Sequence, residues 1–128
     1  MQGDRLTLEP LEGRSYRKHF FKLNGLGGRD LTPLGADLLI LVGPSMAHDG
    51  PCEIWRWANG TREGAPVSSG DLRRVATLPQ RDGVDRAEGL AVYEHGDGTT
   101  LVLVVFDSPA PERLQAPSSV RADVYRLV

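Results

Sequence analysis

The chain has 128 residues, 15 Lys and Arg against 17 Asp and Glu, a net charge of -2 and one cysteine, Cys52. That length supports one compact unit burying roughly two-thirds of its unfolded surface. The near-neutral charge excludes a strong field toward nucleic acid or anionic lipid, the single cysteine excludes an intramolecular disulfide, and no apolar run is long enough for a membrane-spanning helix. Met1 to Leu6 lacks the apolar core of a secretory signal, so the expected compartment is the cytoplasm.

Along the chain, short apolar runs alternate with turn residues (15 Gly and 9 Pro), and helical spacing is nearly absent, which predicts an all-β fold. Residues 1–14 carry Leu6, Leu8 and Leu11 and read as a linker or frayed strand. Tyr16–Leu23 predicts a first strand, ended by Asn24-Gly25 and Gly27-Gly28. Asp30–Leu34 and Leu38–Val42 follow. The second of these is uniformly apolar and so buried on both faces. Glu53–Ala58 stops at Asn59-Gly60, and Leu72–Leu78 carries exposed charge. Gly89–Glu94, Thr100–Phe106 and Ala122–Val128 complete the set.

The chain says nearly the same thing twice. Leu31 matches Leu90, Val42 matches Val105, and Ile54 matches Val124, so that Glu53-Ile-Trp-Arg56 lies against Asp123-Val-Tyr-Arg126. The offset widens only in loops, at Gly96-Asp97-Gly98 and at Pro109 to Pro117, where few contacts cross. Polarity climbs from the first strand of a unit to the fourth. Four-stranded antiparallel blades set radially around an axis produce that gradient, and the expected architecture is a β-propeller with about two blades in the chain. Residues 29–79 then form a full blade, 87–128 a three-stranded partial blade, and 15–24 an outer strand completing a neighbour's blade.

One strand is spare at the start and one is missing at the end, and unpaired edges favour pairing with another chain. The expected partner is a second copy of the chain. Three copies would close a six-bladed ring by a head-to-tail interface. The competing expectation is that missing upstream blades complete the ring. No nucleic-acid or membrane partner is expected.

Residues Tyr16 to Leu31 resemble a segment of an uncharacterised bacterial family known only as a domain of unknown function. So do Leu39-Ile-Leu-Val-Gly-Pro-Ser-Met46 with Asp49-Gly-Pro51, Glu88-Gly-Leu90 and Phe106-Asp-Ser-Pro109. The likeness covers about residues 14–128 and corresponds to that family's C-terminal third. It implies a propeller-like fold. The family's Glu-Gly-Leu motif is in turn similar to one in esterase-like phytase proteins, which implies a metal-dependent ester or phosphate-ester hydrolase as an alternative to a binding or scaffold module.

Candidate chemistry gathers at strand ends. Glu88 opens the innermost strand of the second unit, and Asp30, beside Arg29, holds the matching place in the first. At a channel mouth these carboxylates would suit a hard cation such as calcium, which takes several oxygen ligands. Equally, Glu88 and Arg29 would form an ion pair stapling neighbouring units. Asp107 and Ser108 follow one second strand and Ser45 the other, as polar ligand contacts or as turn residues bonded to nearby backbone. His48 with Ser45 and Asp49 supplies serine-hydrolase parts, but without a Gly-x-Ser-x-Gly elbow and too close in sequence for a working triad. Trp55 and Trp57 share a strand face, for stacking on a sugar or for packing between units.

Overall fold

The computed structural model describes residues 7, 10, 12–14, 16, 18–45, 49–62, 64, 68 and 70–128. The fold is all-β and antiparallel: β1 (Gly27–Leu34), β2 (Asp37–Gly43), β3 (Glu53–Trp57), β4 (Leu72–Thr77), β5 (Arg86–Glu94), β6 (Thr100–Asp107), β7 (Leu114–Ala116), β8 (Ser119–Val120) and β9 (Asp123–Arg126). A single 3-10 turn spans Pro111–Arg113, and no α-helix occurs among the described residues. The main sheets are a four-stranded meander, β1-β2-β3-β4, and a three-stranded one, β5-β6-β9. β7 and β8 form a separate small hairpin in the insertion that precedes β9. No sheet closes on itself.

Each meander follows from its turns. Gly35, with φ 59, makes the tight connection from β1 to β2, and Gly98, with φ 81, serves the loop between β5 and β6. Asp37 anchors the far end of β3 by accepting from Arg56 Nε at 2.6 Å and the Asn59 N–H at 2.7 Å.

β2 is the buried centre. Leu39, Leu41 and Val42 are fully enclosed, because both faces of the sheet are covered. On one face, Leu39, Leu41 and Ile54 pack with Val102 and Val104, and Leu90, Val92 and Phe106 of the second sheet close around them. On the other face, Ile40, Val42 and Trp57 meet Phe21, Leu23 and Leu26 from the segment before β1. Burial of this kind contributes about 25 cal/mol per Å² of apolar surface.

Tyr16–Leu23 is the element where expectation and structure part. Its described residues carry no strand. The ring of Phe21 meets Trp57 edge-on at 5.1 Å and His19 tilts against the same indole at 5.0 Å. Phe21 and His19 cover a sheet face, while Tyr16 and Phe20 stay exposed.

The duplication is present, with its register corrected. Arg29 is the extra residue of a bulge in β1, where Gly28 pairs with Val42 and Asp30 with Leu41. Glu88 is the extra residue of a bulge in β5, where Ala87 pairs with Phe106 and Gly89 with Val105. Arg29 therefore corresponds to Glu88, and Val42 to Phe106 rather than to Val105. Trp57, opposite Leu38, corresponds to Tyr125, opposite Val102, so the third strands slide by two residues from the expected match. A slide of two keeps every side chain on its face, which is why residue patterning could not detect it.

Candidate functional site

The bulges bring the sequence-nominated residues together where β1 of one sheet meets β5 of the other. A bulge re-aims its extra side chain. Here the two extra side chains meet: the Arg29 guanidinium donates to a Glu88 carboxylate oxygen, and its second nitrogen donates to the Pro44 carbonyl at 2.9 Å. Arg29 is 16% exposed and Glu88 42%. Next to them, Asp30 Oδ1 accepts from the Leu31 N–H at 2.8 Å, and Oδ2 accepts from the Leu90 N–H of the opposite sheet at 2.6 Å. Two glycines make the approach possible. A Cβ on Gly43 would lie against Arg29 Nε and 2.9 Å from Cys52 Sγ, and one on Gly89 would sit 2.7 Å from Val105 Cγ2, close to Asp30 Oδ2.

Of the two roles open to Glu88, the ion pair with Arg29 is the one the geometry has. Both oxygens of Asp30 already accept backbone N–H groups. Among the described residues no three His, Cys, Asp or Glu side chains are gathered for a metal ion. A calcium ion needs six to eight oxygen ligands, and Asp30 with Glu88 in one chain does not fit it. The cleft beside Arg29, Cys52 and Phe106 has a volume of about 20 Å³, room for one water-sized group.

The remaining nominated residues lie around this rim. Ser45 is exposed and approaches Gly27. Asp49 accepts from the Gly83 N–H at 3.3 Å and stands 3.7 Å from Arg86. Asp107 and Ser108 are exposed, and Ser108 turns the chain at φ 48 while its carbonyl accepts the Asp85 N–H at 2.9 Å. His48 lies outside the described residues.

Sequence reasoning missed a second polar centre. Asp85, buried, accepts from the Ala110 N–H at 2.7 Å and Arg113 Nε at 2.9 Å. Arg113 also holds Asp123 at 2.6 Å and lies 3.9 Å over the Phe106 ring. Burial works against ionising Asp85, but the Ala110 N–H and the Arg113 and Arg81 guanidiniums outweigh it and hold the carboxyl below its usual range. The hydrogen bond to Asp123 raises the Arg113 pKa further above its ordinary value. The network ties the turn before β5 to the insertion and to β9. Its sequence signal, a lone arginine in a Pro-rich stretch, was indistinguishable from loop.

With this geometry in view, the comparison with known families is decisive on one point. The model for "Protein of unknown function (DUF3616)" matches residues 1–123. The chain belongs to that family. The match begins earlier than the expected resemblance, at residue 1. No curated protein and no solved structure matches the chain.

Proposed function

We propose that the chain is two consecutive blades of a β-propeller, acting as a binding or scaffold module that assembles with further copies of itself into a closed ring. One observation carries this reading: the way the two sheets stack. The face of the first sheet with Leu39 and Leu41 packs on the face of the second with Leu90 and Val104. In the corrected register Leu90 and Val104 correspond to Leu31 and Ile40, which lie on the opposite face of the first sheet. The stacking is therefore front to back, the heterologous arrangement that repeats indefinitely or closes into a ring. Two sheets packed front to front would form a sandwich with nothing left to add.

Exchange of Tyr16–Leu23 is a poor means of closure on charge grounds. The segment carries Arg17, Lys18 and Lys22, and the open side of β9 faces a cavity of about 280 Å³ whose lining includes Arg56, Arg73, Arg74 and Arg126. The hydrolase alternative asks Glu88 and Asp107 to serve a metal, yet Glu88 is committed to Arg29.

The test is an experimental structure of the assembled protein. A ring with radial sheets around a central channel is the expected result. A particle whose sheets pair front to front overturns the reading. Calcium-stimulated turnover of an ester or phosphate ester that is lost on Glu88→Gln would select the hydrolase instead.

A further inference from the structure

The front-to-back stack leaves the front of the second sheet and the Leu31 corner of the first sheet's back uncovered, and both are apolar. On the second sheet, Leu103 and Val105 correspond to the buried Leu39 and Leu41, yet Val105 is 44% exposed and its neighbour Val124 51%. On the first sheet, Leu31 and Ile40 correspond to Leu90 and Val104, yet Leu31 is 59% exposed. Leu31 and Ile40 floor a groove of about 500 Å³ walled by Phe21 and Leu23. The segment before β1 thus covers Trp57 and Val42 and buries Ile40 to 3% exposure, while Leu31 beside them stays open.

We infer that the groove at Leu31 and Ile40 receives the Leu103–Val105–Val124 face of a second copy, head to tail. The inference rests on the two-blade reading and names the surface it requires. A second copy fits for one reason. The same pair of faces, in its repeat-equivalent form, already packs inside each chain, so the complementarity of shape is built into the sequence. Because the two faces are different patches, every copy offers one of each.

Two substitutions at exposed positions test this. Leu31→Glu disables the groove and Val105→Glu disables the opposing face. Each variant alone is expected to lose the assembled species in light scattering and run as a monomer, with wild-type circular dichroism and a cooperative thermal transition lowered by the lost association. An equimolar mixture is expected to form a one-to-one dimer, since one good groove and one good face remain. Only a heterologous contact through these patches predicts that recovery. The inference is overturned if the wild type is monomeric at high micromolar concentration, if either variant keeps the wild-type mass, or if the mixture stays monomeric. Should a glutamate unfold the chain, Leu31→Gln and Val105→Thr carry the same test with graded loss of assembly. A wild type that forms a ring whose variants fail the mixing test sinks the surface and leaves the two-blade reading standing.

Discussion

At the scale of single residues, stability turns on groups that connect distant segments. Asp85 is the strongest case, its side chain 3% exposed and bound to Arg113 from the insertion. Removing one partner of a buried pair leaves the other charge uncompensated. Asp85→Asn is expected to lower unfolding stability by about 3 kcal/mol in a urea titration. The same group sets an acid limit. Its pKa is depressed in the folded state, so its contribution is complete above the unfolded pKa and drains away as pH falls through the folded one. Asp37, held low first by the Asn59 N–H, acts in the same direction. Stability measured from neutral to strongly acid pH should fall, and Asp85→Asn should flatten that fall. At the bulge, Gly89→Ala would push a methyl against Val105 and is expected to cost about 2 kcal/mol by overpacking.

At the scale of elements, the seven strands of the two main sheets were legible because apolar runs stand between Gly, Pro and Asn turns. The β7–β8 hairpin and the 3-10 turn were not. Their residues are mostly exposed and short, so no face-dependent pattern marks them. The bulges were hidden for another reason: one extra residue shifts the alternation phase, and a phase shift in a short strand looks like a slightly different strand end. Arg29 and Glu88 could still be named as partners because opposite charges at repeat-equivalent places needed no exact register. Asp85, Arg113 and Asp123 could not, since they are joined only by the path of an irregular insertion. The edge of β9 raises its own expectation. Arg126, beside the cavity lined by Arg73 and Arg74, keeps positive charge along an unpaired border, and such charge discourages indiscriminate strand pairing. Arg126→Val is expected to increase aggregation on heating, read by static light scattering, without shifting the folded circular dichroism spectrum.

At the scale of the whole molecule, the sequence pattern indicated a duplicated antiparallel unit, while the sense in which the units stack came only from coordinates. An apolar strand such as β2 is buried on both faces, and its composition cannot tell which neighbour lies on which side. The stack has a direction, and its two ends are different surfaces.

That direction has an arithmetic consequence at the paired bulges. One half of the duplication contributes a base and the other an acid, so whole chains laid end to end present plus, minus, plus, minus around any circumference they complete. In the ring proposed above, each copy of these 128 residues adds two main sheets. Within the chain, that alternation sets the Arg29 guanidinium against the Glu88 carboxylate, a pairing that two identical halves could not have made.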